Sequence, residues 1–517
     1  MTIRDLLAAL ELSGLLAPTG PSSADSAWLD GRISQIASDS RAVTPGSVFA
    51  ALRGARANGV TFAAQAAANG AVAVLADQDR PPGVMVPWIL VTDARRALAR
   101  AADTYYGQPS RDLTVVGITG TNGKTTTAYL VRGMFEAAGR PCGLIGTVQY
   151  LIGQQARDAS RTTPEATDLQ RMLREMCSLG SRACAMEVSS HALALHRVDD
   201  VRFSAALFTN LTRDHLDFHG SMDHYFAAKR RLFEMLPASA PGIFNVDDRR
   251  GAVLARECSN RITFAVETPA DVTPGPVLPS LGGLQCEIRT PAGVLSVRSR
   301  LIGRFNLYNL LGAAAAGVAL GLPADAIERG LWEIGAVPGR LQIVSSADDD
   351  LSVIVDYAHT DDALRNLLEA VRPLATGRLI TVFGCGGDRD RTKRPLMGAV
   401  AAQLSDLVVL TSDNPRSEDP DVIIDDIERG LLPHEDRHAG PASGGWWPTD
   451  RRAAYARLAD RRAAIGRAIA DGERGDLVVI AGRGHETYQE SGGRIVPFDD
   501  AEVAQAALGA RRRARAS

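Results

Sequence analysis

Short apolar runs that stop at polar or glycine-rich turns recur along the whole chain. Such runs occupy residues 47–52, 71–75 and 88–91, and the last leads through a helical pattern at 94–106 to a break at Pro109. A second series opens at 113–118, continues through a helix-compatible stretch at 125–138, and adds strand-like runs at 183–187 and 205–210. A weaker, strand-and-turn-rich segment at 260–302 precedes an alanine-rich helix at 309–320. The third series places strands at 352–355, 379–383, 407–410 and 477–480. Strands this short, alternating with helical stretches, predict an α/β architecture with buried parallel strands. A chain of 517 residues is too long for one core. Its breaks predict three domains, 1–110, 111–337 and 338–517. The segment 432–455, with Trp446-Trp447 among prolines and glycines, reads as a surface insertion whose tryptophans pack locally.

Composition narrows the class without altering that picture. Hydrophobic residues at 45% and charged residues at 23% are ordinary for a soluble globular protein. A net charge of −3 gives no reason to expect a nucleic-acid or membrane surface. The terminal arginines Arg511, Arg512, Arg513 and Arg515 read as a short solvated end. Acidic residues near the start argue against a signal peptide, and no apolar run is long enough to span a bilayer. Six cysteines lie scattered without a CxxC pair, so a cytoplasmic protein with reduced thiols is expected.

The candidate chemistry sits at strand ends, where open parallel sheets bind their ligands. The run 113–118 passes into Gly120-Thr121-Asn122-Gly123-Lys124-Thr125-Thr126 and then a helix. A strand, a glycine loop and a helix N-terminus aim several backbone N–H groups at one point, which makes a phosphate site. Lys124 adds a positive charge for the terminal phosphates, and Thr125 a hydroxyl for Mg²⁺. The spacing departs from the generic GxxxxGK[ST] loop, because Ile118 stands five before Gly123 and an extra glycine sits at Gly120. The loop predicts binding of ATP or GTP. Glu187 ends another strand and offers a Mg²⁺ carboxylate facing the loop. By composition alone, His215 reads as a structural hydrogen-bonder and Lys229 as a solvated helix lysine. Strands of the third unit end in Asp356-Tyr357-Ala358-His359, in Gly386-Gly387-Asp388-Arg389, in Asp413-Asn414-Pro415-Arg416 and in Gly482-Arg483-Gly484-His485-Glu486.

The octapeptide from Thr119 to Thr126 resembles the ATP loop of the Mur ligases, ATP-dependent amide-forming enzymes of bacterial cell-wall assembly. Glu187-Val188-Ser189-Ser190-His191, Asp214-His215-Leu216-Asp217 and Ala228-Lys229 with Leu232-Phe233 are similar to further motifs of that family, in its order and spacing. The resemblance implies that Glu187 and His215 bind Mg²⁺, with two ions in the site. It also implies that CO₂ carbamylates Lys229, turning an ammonium into a carboxylate-like ligand. Lys124, Glu187, His215 and Lys229 are then the catalytic set. Asn306, Asn309, Arg340, Asp356 and His359 join the loop as nucleotide contacts.

Within the family, the segment around Ser40 is similar to the UDP-holding domain of the third-step enzymes. Thr162, Thr163, Ser189 and Arg197 resemble their contacts to the nucleotide-linked dipeptide. Asp413-Asn414-Pro415-Arg416 looks like the tetrapeptide of members that add meso-diaminopimelate, with Arg389, Gly482 and Glu486 as further amino-acid contacts. The resemblance therefore implies a monomeric ligase with a UDP-binding N-terminal α/β domain, a central P-loop ATPase-type parallel sheet and a Rossmann-like C-terminal domain. Its expected reaction adds meso-2,6-diaminopimelate to UDP-N-acetylmuramoyl-L-alanyl-D-glutamate through an acyl phosphate. L-Lysine, another amino acid, or a paralogue in another pathway stays open. Lys-Thr-Thr after the loop glycine argues against the folate-polyglutamylating relatives, and a P-loop motor would leave the third-unit motifs without purpose. The chain departs from the family pattern at Leu195, at Asn58-Gly59-Val60, at Arg483 for lysine and at Asp361 for proline, the last with little expected consequence.

Overall fold

The computed structural model describes residues 1–18, 26–54, 57–280, 282–335, 337–431 and 453–516. Three α/β units follow one another along them, each built on its own main sheet. In the first, the parallel strands Gln35–Ala37, Ser47–Ala50, Ala73–Ala76 and Trp88–Leu90 lie in sequential order. The two inner strands are buried at every position, as strands covered on both faces must be. The helix Ala94–Tyr105 begins where Asp93 accepts the backbone N–H groups of Arg95 and Arg96.

The second unit carries eight strands in the spatial order Arg261–Phe264, Gly242–Asn245, Ala205–Phe208, Thr114–Thr119, Ala183–Glu187, Cys142–Ile145, Gln149–Ile152 and Gln155–Asp158. The first six are parallel, and the last two are antiparallel. The sheet is thus mixed where a parallel one was expected. The cause is local: residues 146–148 and the left-handed turn at Gly153 (φ 59°) join the last three strands by links too short for a crossover. Thr114–Thr119 lies inside the sheet, with Val116 and Ile118 packed toward the helices Lys124–Ala137 and Arg304–Ala319, and Val115 toward Phe203 and Leu232. The turn-rich segment forms a three-stranded antiparallel sheet, Thr273–Ser280, Gly283–Thr290 and Gly293–Ser299.

The third unit orders its strands as Gln342–Ile343, Ser352–Asp356, Leu477–Ala481, Leu379–Phe383, Leu407–Leu410 and Ala454–Arg457, all parallel except the first. Leu477–Ala481 arrives last in sequence yet lies between two earlier strands, which leaves a ligand crevice at its carboxyl end. Ala454–Arg457 is the far edge strand, so the expected insertion does not reach residue 455. Trp446-Trp447 lie outside the described residues.

The arginine-rich end is not a free solvated tail. It continues the helix Asp500–Ala516, whose Val503, Ala504 and Leu508 pack into the core of the third unit. That docking brings Arg511 onto Asp350 through two hydrogen bonds of 2.9 Å, Arg512 onto Asp349 at 2.6 Å and Arg515 onto Asp350 at 2.8 Å. Among the described residues no helix is long and apolar enough to cross a membrane.

Candidate active site

Two glycines make the phosphate loop possible. Gly120 (φ 147°) lies so close to Thr209 that a Cβ would fall 1.8 Å from its hydroxyl, and Gly123 (φ 86°) precedes the helix Lys124–Ala137 with a would-be Cβ 2.3 Å from Asn309 Oδ1. Asn210 holds the loop by accepting from the Thr121 N–H through its carbonyl and from the Asn122 N–H through Oδ1, each at 2.9 Å. The Thr209 hydroxyl donates to the Asn122 carbonyl at 2.6 Å. Lys124 bends back over the loop and donates to the Gly120 and Thr121 carbonyls, both at 2.9 Å. Burial lowers its pKa, and the charges of Glu187 and Asp214 oppose that shift.

Lys229 overturns its compositional reading. The helix Met222–Glu234 presents Tyr225, Ala228, Lys229 and Leu232 as buried neighbours, one helical turn apart, and the Lys229 side chain is 1% exposed. Its amine donates to the same Gly120 carbonyl at 2.7 Å and lies 4.6 Å above the Tyr225 ring. Burial, reinforced by Lys124, pushes its pKa well below the usual lysine value. Glu187, equally buried, accepts from the Thr147 N–H at 2.7 Å and from the Thr147 hydroxyl at 3.0 Å. His215 has a left-handed backbone (φ 54°), with Nε2 3.4 Å from the Asp214 carboxylate. Its ring meets that of His191 edge-on at 4.8 Å. Burial brings its pKa down to about 4, so the imidazole is neutral at pH 7 and keeps a lone pair for a ligand.

The expected dipeptide contacts gather beside Glu187. The Thr163 hydroxyl donates to the Glu187 carbonyl at 2.9 Å and accepts from the Ser189 N–H at 3.1 Å. The Thr162 hydroxyl lies 3.1 Å from that of Thr147. Arg197 donates to the Thr163 carbonyl at 3.1 Å and pairs with Glu165 at 2.9 Å. Ser40 stands apart in the first unit, where its hydroxyl donates to Gln65 at 3.1 Å.

The third unit closes the nucleotide side. Arg340 donates to the Thr125 hydroxyl at 3.3 Å, lies 4.6 Å over the Tyr357 ring and keeps a buried Nε without a partner. Asp356 accepts the N–H groups of Leu341 and Ala358 at 2.7 and 2.8 Å. Burial pushes the pKa of His359 down to about 4, and its carbonyl accepts from Lys393 at 2.7 Å. Asn309 donates to Asn306 Oδ1 at 2.8 Å, and Asn306 to the Ile302 carbonyl at 2.8 Å. Thr126 is buried in the first turn after the loop.

The amino-acid set also converges. Asn414 donates to Glu486 at 2.7 Å, and a Cβ on Gly482 would fall 2.6 Å from Asp413 Oδ2. Burial, with Asp413 adding to it, raises the pKa of Glu486. Arg416 is left-handed (φ 55°) and donates to the Gly387 carbonyl at 2.6 Å, with Glu490 3.7 Å from its Nε. Arg389 is exposed and follows that same glycine turn.

Models of the Mur ligase family match most of the chain: its catalytic domain over residues 32–106, the Mur ligase middle domain over 118–317 and the glutamate ligase domain over 339–484. The chain belongs to the Mur ligase family. The UDP-N-acetylmuramoyl-L-alanyl-D-glutamate--2,6-diaminopimelate ligase of Gloeobacter violaceus is 46% identical over 505 residues, 98% of this chain and 99% of that protein. Its namesake from Bacillus velezensis is 43% identical over 486 residues, 93% of this chain and 95% of the relative. A solved structure of a ligase of that name superposes with a TM-score of 0.66 at 32% identity, over 95% of this chain and 98% of its own. MurF from Thermotoga maritima, solved in complex with ADP, shares the fold at 18% identity and a TM-score of 0.62, over 94% of this chain and 99% of its own. As a Mur ligase the chain is an ATP-dependent ligase.

The sequence alone assigned no role to several residues of this Mur ligase site. Thr147 holds the Glu187 carboxylate, and its place just beyond the strand Cys142–Ile145 was the available signal. Tyr225 supports the loop through its hydroxyl, 3.1 Å from that of Thr121. Arg483, fully buried, donates to Asn414 Oδ1 at 3.2 Å and so fixes the amide that reaches Glu486. Asp361 makes a contact of its own. It receives Arg213, two residues before His215, at 3.2 Å, while the neighbouring Asp362 receives Asn122 of the phosphate loop at 3.1 Å.

Proposed function

We propose that this ligase joins meso-2,6-diaminopimelate to UDP-N-acetylmuramoyl-L-alanyl-D-glutamate. Residues 1–110 take the UDP-sugar, 111–337 the ATP and 338–517 the incoming amino acid. The γ-phosphoryl group of ATP passes to the side-chain carboxylate of the D-glutamate, giving ADP and an acyl phosphate. An amine of diaminopimelate attacks the acyl carbon, phosphate leaves, and the amine loses a proton. Such chemistry asks the protein mainly for positioning and for positive charge around the transferring group. Lys124 and the N–H groups at the start of the helix Lys124–Ala137 supply that charge, and Arg340 approaches from the third unit.

Among the described residues no cluster of three His, Cys, Asp or Glu side chains forms a ready-made metal cage. Mg²⁺ does not need one, since it usually takes one or two carboxylates and completes its shell with phosphates and water. Glu187, the Thr125 hydroxyl and neutral His215 fit that pattern, and a carbamate on Lys229 would add a second carboxylate-like donor. When bound, the ion neutralises the phosphate charge. The low pKa of Lys229 supports the carbamate, because only an uncharged amine combines with CO₂. The reading includes a monomer in the cytoplasm, with soluble small-molecule substrates and no nucleic-acid or membrane partner.

One observation carries the choice of amino acid. In a chain nearly half identical to ligases of that name, the Asp413–Arg416 turn packs against Glu486 and Gly482 at the crevice of the third sheet. The test is phosphate release from ATP, measured with the nucleotide dipeptide and a panel of amino acids. Release should require both the dipeptide and meso-diaminopimelate. Equal use of L-lysine would overturn the amino-acid assignment and leave the ligase intact.

A further inference from the structure

A cavity of ≈ 560 Å³ lies far from the phosphate loop, at the opposite end of the central sheet. Its walls come from residues just ahead of the strands Thr114–Thr119, Ala183–Glu187 and Ala205–Phe208, so it opens at their amino ends. Four arginines line it, Arg111, Arg140, Arg182 and Arg202, against one carboxylate, Asp112, which is itself paired with Arg174 at 3.2 Å. Among the described residues none of the four forms an ion pair. Arg140 is held in place, donating to the Thr114 hydroxyl at 2.7 Å with its guanidinium 4.9 Å from the Phe135 ring centre.

Four guanidinium groups repel one another, and a shared anion relieves that repulsion. Their planar forks match phosphate oxygens two at a time. The volume falls in the range of small-molecule sites, about 300–1,000 Å³, and suits a ligand the size of a nucleotide or a short polyphosphate. We propose that this cavity binds a small phosphorylated polyanion, at a site separate from the ATP loop.

The probe is tripolyphosphate, titrated calorimetrically into the full-length protein in four forms: wild type, Lys124→Ala, Arg182→Gln with Arg202→Gln, and all three substitutions together. Both cavity arginines are exposed, so glutamine leaves the fold intact, and ligase turnover of the double variant should match wild type. Lys124→Ala should retain one class of sites, and adding the two glutamines should weaken that class at least tenfold. ADP in place of tripolyphosphate then separates a nucleotide ligand from a bare polyphosphate. No binding to Lys124→Ala, or a loss under tenfold on adding the glutamines, would overturn the proposal. Citrate bound as tightly as tripolyphosphate would overturn its phosphate character.

Discussion

A single carbonyl, that of Gly120, accepts from both Lys124 and Lys229, at 2.9 and 2.7 Å. Two ammonium groups so close cost free energy, and Lys229, with almost no solvent, gives up its proton more readily. The lowered pKa favours the neutral amine, the form that the proposed carbamate requires. Enzyme stripped of CO₂ should lose activity and regain it with bicarbonate. Lys229→Ala should lose most turnover and recover part of it with a short carboxylic acid. Indifference to CO₂ together with failed rescue would remove the carbamate from the account. Arg416 poses a second residue-scale question. With lysine bound in place of diaminopimelate, its guanidinium would forgo the substrate carboxylate and keep only the partly exposed Glu490, 3.7 Å from Nε. Arg416→Ala should raise KM for diaminopimelate and leave KM for ATP nearly unchanged, and Arg416→Lys should not rescue it, since an ammonium cannot make the bidentate pair. Steady-state kinetics with each substrate varied in turn separates these outcomes.

At the scale of elements, the C-terminal helix Asp500–Ala516 closes the third unit through charge as well as packing. Hydrogen bonding to Arg511 holds Asp350 down at about pKa 2, below its ordinary 3.8. A depressed carboxylate stabilises the fold fully above its unfolded value and loses that contribution as pH falls from about 4 toward 2. Arg511→Ala should therefore lower the melting temperature at pH 7, by a cost of about 2 kcal/mol, and the gap from wild type should close across that acid range. A constant gap would assign the arginine to packing alone. The sequence showed the inner strands well: 183–187, 379–383 and 407–410 match the observed bounds, because strands buried on both faces are apolar throughout. It showed the edges poorly. Gln155–Asp158 and Arg494–Pro497 carry polar or exposed side chains and owe their strand character to a hairpin partner. The site divided in the same way. Motif residues at strand ends were legible, Arg483 among them, whereas the parts that Thr147 and Arg483 play in holding another side chain depend on approaches between distant segments.

Across the whole molecule, two acidic residues at the start of the helix Asp361–Val371 bind the middle unit at two points. Asp361 takes Arg213, and Asp362 takes Asn122. The Arg213 pair is partly exposed, so salt should weaken it. X-ray scattering should show the wild type expanding as ionic strength rises, with Arg213→Ala already expanded at low salt and insensitive to more. Matching curves for the two proteins would show that this pair does not hold the units together. Asn122 belongs to the phosphate loop, and Asp362 to the unit proposed to take the amino acid. An equilibrium shared between two ligands is reciprocal: the factor by which one tightens the other is the same in both directions. Under that assignment, whatever affinity the bound amino acid lends to nucleotide through the first turn of this helix, bound nucleotide returns in equal measure.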